Sequence, residues 1–280
     1  TNEFRFYDTN DGRQDPGTWE FLGEVTPDQF YLDARKLANG LEIFVVDNGS
    51  SDGTADWVSA EYPGVRLIRG DRNRGYPAGN NIALRLILAE RTADAVLLLN
   101  SDVMADGPAV ASLARYLAES PGIGAVMPAL VLPDGGYQIG ACGFLPTART
   151  LFDYFFLLHK IRPLRSRGLF IDQAAVAKRV PFLRVEWLSG ACVAIRREAF
   201  EKVGLLNEDY FFYAEDLDWG RRMRDSGMAL HYWPGARVVH YHGMTYQEVL
   251  RETNTAWLRM LFRYVRRERG PLEYLLGRGI

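Results

Sequence analysis

The chain has 280 residues, 48% of them hydrophobic and 24% charged, a globular composition with enough length for one large core or two small ones. A net charge of −2 gives no electrostatic basis for a nucleic-acid partner. Two cysteines, Cys142 and Cys192, exclude a disulfide framework and point to a reducing, cytoplasmic setting, while no apolar run reaches the roughly 18–20 residues of a membrane span and no signal-peptide pattern opens the chain.

Residues 1–40 are polar and weakly patterned, and stand as a separate N-terminal segment. From residue 41 short β-rich runs alternate with helical patterns. Strands are predicted at 42–46, 65–68, 95–99 and 124–127, and helices at 54–60, 78–90 and 107–118. Nearly continuous apolar strands alternating with helices imply an α/β domain with a mostly parallel central sheet covered on both faces. Its ligand crevice lies beyond the carboxyl ends of the strands, where three polar clusters fall: Asp47-Asn48-Gly49, Asp71–Gly75 and Asn100-Ser101-Asp102.

Residues 128–148 are rich in turn formers, and 149–184 carry eight Lys or Arg against two Asp, which reads as a basic insertion, helical or loop. The strand-and-helix pattern resumes at 185, with helices near 197–203 and across 215–227 and short strands "ALHYW" and "ARVVH". The tail 246–280 contains an amphipathic helix at 254–269 with arginines between its apolar positions, read either as a face packed on the domain or as one that docks on anionic lipid.

Four groups could carry chemistry. Asp102 is a hard oxygen donor suited to Mg²⁺ or Mn²⁺, although an acid after a strand also serves as a helix cap or an Asx turn. In "YFFYAEDLDWGRRMRDSG" the acids Glu215, Asp216 and Asp218 open a helix, where the dipole favours them. The aromatic run before them is the kind of shelter a general base needs. His240 ends a strand and, if it met Asp102, would complete a mixed nitrogen–oxygen site; His242 competes for that role. In "NRGYPAGNN" glycines and Pro77 bracket a helix start whose backbone N–H groups can face an anion. The GxGxxG and GxxxxGK[ST] patterns are absent, which removes the main support for dinucleotide and P-loop readings.

Five segments, "EIFVVDNGSSDGTADWV", "NRGYPAGNNIAL", "VLLLNSDV", "WLSGACVAIRREAFEKVGLLNEDYFFYAEDLDWGRRMRDSG" and "ARVVHYHG", occur in the order and rough spacing of family 2 glycosyltransferases, so the chain resembles that family over about 41–243, and within it a rhamnosyltransferase-like branch. The resemblance implies a GT-A fold over 41–245, with a nucleotide-binding half at 41–130 and an acceptor half at 185–245. It implies an inverting, metal-dependent transfer from a dTDP- or UDP-linked sugar to a saccharide or lipid-linked acceptor, at the cytoplasmic face of a membrane that the basic tail would touch peripherally. On it, Asp47 meets the nucleotide's base or ribose, Asn73 and Gly75 lie in the nucleotide pocket, and Asn100 holds the first position of the metal motif. Asp102 and His240 hold Mg²⁺ or Mn²⁺, Asp216 beside Glu215 is the base, Trp187 and Gly190 line the acceptor side, and Arg222 fills a recurrent basic position. The apolar strand with which the family opens has no counterpart in 1–40. The alternative is an inactive sugar-nucleotide or glycan-binding homologue.

Overall fold

The computed structural model describes residues 41–91, 93–156, 158, 168–241 and 249–278, so the N-terminal segment, His242 and the middle of the basic insertion lie outside the described residues. In the first half, β1 (Phe44–Asp47) leads to α1 (Thr54–Glu61), β2 (Arg66–Arg69) to α2 (Tyr76–Glu90), and β3 (Ala95–Leu99) with the short β4 (Val103–Met104) to α3 (Gly107–Glu119). Local chemistry fixes these boundaries. Asp106 caps α3 by accepting from the Ala109 N–H at 2.7 Å, and Pro108 follows in the first turn. Gly75 enters α2 at a φ of 84°, where a Cβ would stand 2.3 Å from the Phe211 carbonyl oxygen.

The second half runs β5 (Ile123–Val131), β6 (Cys142–Gly143), α4 (Ala148–Phe155), α5 (Gln173–Ala177), β7 (Leu183–Val185), β8 (Trp187–Leu188), β9 (Cys192–Arg196), α6 (Arg197–Val203), α7 (Glu215–Asp225) and β10 (Ala229–His240), followed by α8 (Val249–Glu268) and α9 (Gly270–Arg278). The two short strands predicted near 229 and 236 are one strand, β10, whose register against β5 shifts between Tyr232 and Arg237. Pro234 and Gly235 occupy that irregularity, where ladder hydrogen bonds are not required of them.

The central sheet is mixed rather than mostly parallel. Its order is β3-β9-β5-β10-β4, with β7 beside β10. β5 and β10 pair in parallel, whereas β9 is antiparallel to both β3 and β5, and β4 and β7 are antiparallel to β10. β3 and β5 therefore do run the same way, as the βα pattern predicts, but a strand from the second half is inserted between them in reverse. β1 and β2 form a separate parallel pair, and among the described residues β1 pairs with β2 alone and β3 with β9 alone.

All nine residues of β5 are buried, and with Leu84, Leu113 and Ile195 they form the main core. A second cluster joins Leu145, Leu151, Leu169, Trp187, Tyr210 and Leu217 to Leu261, Tyr264 and Val265 of α8. The tail helix thus packs on the domain, while Arg259, Arg263 and Arg266, spaced on one helical stripe, remain exposed. Both cysteines are free and buried.

Candidate active site

Asp102 lies three residues beyond the end of β3, and His240 is the last residue of β10. The pairing of β10 with β4, His240 opposite Val103, brings them together across 138 residues of chain, with His240 Nε2 3.1 Å from Asp102 Oδ1. The other ring nitrogen, Nδ1, is 2.6 Å from Gln138 Oε1, which accepts its proton and so leaves Nε2 as the lone-pair nitrogen turned toward Asp102. Burial of His240 and Gln138 locks this arrangement. A carboxylate oxygen beside an imidazole nitrogen, with the imidazole oriented from behind, fits a divalent cation that takes its remaining ligands from phosphate oxygens. Among the described residues no group of three or more His, Cys, Asp and Glu forms a closed metal cage.

The three acids that open α7 are sorted by their surroundings. Asp218 is paired with Arg221 at 3.2 Å and Arg222 at 2.9 Å and is structural. Asp216 accepts from the Leu217 N–H at 2.8 Å and is pushed up to about 6, mainly by burial. Glu215 is buried, its Oε2 has no hydrogen-bond partner, and burial followed by the charge of Asp216 raises it well above the ordinary carboxylate range. The backbone leading into this pair is strained, with Tyr213 and Ala214 at φ 65° and 70°, a region costly for residues other than glycine.

Tyr76 ties the two corners together. Its N–H donates to the Phe211 carbonyl at 2.9 Å, beside the acids, and its hydroxyl donates to the Gly190 carbonyl at 2.8 Å. Burial raises this phenol first, and the charges of Glu215, Asp216, Cys192 and Asp102 act in the same direction, while Glu215 and Asp216 share a cavity wall with the ring. Gly190 is required at this approach, since a Cβ there would lie 2.2 Å from the Tyr76 hydroxyl.

The loops of the first half complete the rim. Asp47 is buried and accepts from the Ser50 N–H at 3.1 Å, which shapes the turn after β1. Asn73 Oδ1 accepts from the Gly75 N–H at 2.9 Å and from Asn48 Nδ2 at 3.0 Å. Asn100, at the end of β3, donates its backbone N–H to the Ala191 carbonyl at 2.9 Å, which anchors the turn that carries Asp102.

Two predicted site residues are placed otherwise. Trp187 is buried and donates its ring N–H to the Leu169 carbonyl at 3.0 Å, so it packs the second core cluster instead of lining an acceptor surface. Arg222 spends its guanidinium on Asp218 and on the carbonyls of Val203 and Leu205, holding the loop after α6.

Four residues that matter here were not singled out as site residues. Asn48 clasps the Asn73–Gly75 turn through Asn73, the Gly75 carbonyl and the Arg74 N–H. Asn81, buried in α2, exchanges two hydrogen bonds with the backbone of Leu206. Tyr76 and Gln138 are the others. Asn48 sits inside a polar cluster of the sequence and Tyr76 and Asn81 fall within the quoted "NRGYPAGNN", whereas Gln138 carries no local signal.

This arrangement of a mixed α/β sheet, an acid and a histidine at strand ends, and an acid pair at a helix start defines a protein of the GT-A glycosyltransferase class. The fold is similar to that of a mannosyltransferase from Pyrobaculum calidifontis solved with GDP-Man and Mn²⁺ (TM-score 0.56, 19% identity, 87% of this chain and 61% of that one) and to that of GalNAc-T7 solved with UDP, GalNAc and Mn²⁺ (TM-score 0.51, 17% identity, 72% and 38%). Residues 34–259 match the Glycosyltransferase like family 2, and the chain belongs to that family. It is similar to the N-acetylglucosaminyl-diphospho-decaprenol L-rhamnosyltransferase of Mycobacterium tuberculosis, at 32% identity over 212 residues, 72% of this chain and 66% of the relative. It is also similar to the rhamnosyltransferase WbbL of Escherichia coli, at 24% identity over 76% of this chain and 77% of the relative. The chain therefore spans just under two thirds of the mycobacterial relative's length.

Proposed function

We propose that the protein is an inverting glycosyltransferase that moves a sugar, rhamnose from a dTDP donor in the first instance, to a hydroxyl of a saccharide or lipid-linked acceptor in cell-surface polysaccharide synthesis. The observation that carries this reading is the meeting of Asp102 with His240, in a fold whose Tyr76 lines one cavity with Glu215 and Asp216. The names of the mycobacterial and Escherichia coli relatives support rhamnose as the sugar, and the mycobacterial name supports a diphospho-polyprenol acceptor.

In this mechanism Asp47 and the Asn73–Gly75 turn hold the nucleotide, and Asp102 and His240 are the residues that would hold Mg²⁺ or Mn²⁺. The cation, when bound, supplies positive charge where the leaving diphosphate gains negative charge. Asp216 removes the proton from the acceptor hydroxyl, whose oxygen attacks the anomeric carbon from the side opposite the diphosphate, so the configuration inverts. A base raised to about 6 is ionised at neutral pH yet keeps enough basicity to take a proton in the transition state. Strain at Tyr213 and Ala214 supports a loop held for function at a cost to stability.

No helix among the described residues is long and apolar enough to cross a membrane. A lipid-linked acceptor would be met at a surface, and the exposed Arg259, Arg263 and Arg266 of α8, with Phe152 and Phe156 exposed on α4, supply the basic and apolar groups for peripheral contact with an anionic leaflet. Co-sedimentation with phosphatidylglycerol vesicles, lost on replacing the three arginines by Gln, tests that contact. Equal sedimentation with phosphatidylcholine vesicles overturns it.

Thermal-shift titration with dTDP, UDP and GDP, with and without Mn²⁺, followed by a transfer assay with the matching sugar nucleotides, tests the main reading. Stabilisation by a nucleoside diphosphate plus Mn²⁺ that disappears in Asp102→Ala is expected. Stabilisation with no turnover on any acceptor favours an inactive binding homologue, and no response to any nucleotide overturns the site.

A further inference from the structure

Behind Asp216 lies a cavity of ≈ 20 Å³ walled by Tyr76, Leu98, Val193, Ile195 and Trp219, with Glu215 as its second acid. That volume admits about one water molecule. Glu215 is only 7% exposed, and Oε2 is an orphaned polar atom in an otherwise apolar enclosure. Of the cations on the same helix, Arg221 and Arg222 are committed to Asp218, and Arg224 to Asp225. Among the described residues, the wall of this cavity brings to the pair one further titratable group, Tyr76 of α2, and no cation. An ionised carboxylate in this position would have neither a counter-charge nor a full set of donors, a desolvation cost that protonation removes.

We propose that Glu215 is carried as a neutral carboxylic acid with its proton directed into this cavity, and that it is a positioning residue that leaves Asp216 as the single ionised carboxylate of the pair. The inference deepens the assignment of Asp216 as base and rests on it for its consequence, though not for its test. A second negative charge beside Asp216 would raise its proton affinity and hold it protonated at neutral pH. A neutral Glu215 avoids that and still offers a donor to a water or to the neighbouring carboxylate. The direction in which burial shifts Glu215 agrees with this assignment. A carboxylic acid kept neutral by an apolar site so that it can donate a hydrogen bond has precedent among enzymes.

Infrared difference spectroscopy of wild type against Glu215→Gln near pH 7 should show the carbonyl band of a protonated carboxylic acid, lost from the wild type on titration to alkaline pH. Carboxylate bands alone would overturn the proposal, and this readout stands even if the protein transfers no sugar. Should Glu215→Gln fail to fold, the wild-type alkaline titration alone shows the same band or its absence. In the transfer assay, wild-type kcat should rise through about pH 6 and fall again as Glu215 ionises. Glu215→Gln should keep the rise and lose the fall, so that the ratio of kcat on the alkaline limb of the wild-type profile to kcat near pH 7 increases several-fold. An unchanged alkaline limb would overturn the positioning role.

Discussion

The two corners of the site are built on opposite principles. At the end of β10, Gln138 accepts from His240 Nδ1 and so fixes the ring with Nε2 turned toward Asp102 3.1 Å away. At the start of α7, Glu215 and Asp216 are held by burial and by strained backbone, with a polar atom left orphaned. The first corner suits a group that must present a fixed donor set to a cation. The second suits groups whose proton affinity must stand above its ordinary value. The fold keeps the two environments apart by drawing one from the sheet and the other from a helix.

Breaking the first corner should have the largest effect. Asp102→Ala is expected to reduce transfer on the order of 10³-fold and to abolish the Mn²⁺-dependent part of nucleotide stabilisation, read by initial rates and thermal shift. A chelator should reproduce the thermal part of that loss in the wild type. Asp216→Asn should lower kcat by roughly 10²–10⁴-fold while nucleotide binding persists. Equal loss of binding would make Asp216 structural.

The same substitution sharpens the contrast through pH. Because its folded-state value is raised, Asp216 contributes stability that is complete below the unfolded value of about 4 and is lost as pH rises through about 6. Asp216→Asn should therefore be more stable than wild type above about pH 6, by on the order of 1 kcal/mol, and the gap should close below about pH 4. Calorimetric melting across that range measures it. Wild-type transfer should fall as pH drops through about 6, since the base is then protonated.

Smaller effects are expected one layer out. Gln138→Leu leaves Asp102 and His240 in place but frees the ring, and should weaken Mn²⁺ binding by roughly 10–100-fold, measurable by titration calorimetry. Ala214→Gly relieves a left-handed residue beside the acid pair and should stabilise the protein by up to about 1 kcal/mol in denaturant unfolding. A loss of stability there would show that the loop is not strained.

Much of this was legible in one dimension because strands and helix starts have local signatures. β3 was read at its observed bounds, α6 likewise, and α1, α2 and α3 to within two residues at each end. The polar residues after β1 and β3 were singled out because strand ends in α/β sheets face the crevice. Periodicity and turn chemistry therefore determined the elements and the stretches of chain able to hold Asp47, Asn73, Asp102 and Asp216. Tertiary structure decided which strands became neighbours, inserting β9 in reverse between β3 and β5, because pairing is settled by packing between segments far apart in sequence. It also gave Trp187 and Arg222 to packing, recruited Gln138 and Asn81, and left Glu215 orphaned, since burial and hydrogen-bond partnership depend on what arrives from elsewhere in the chain.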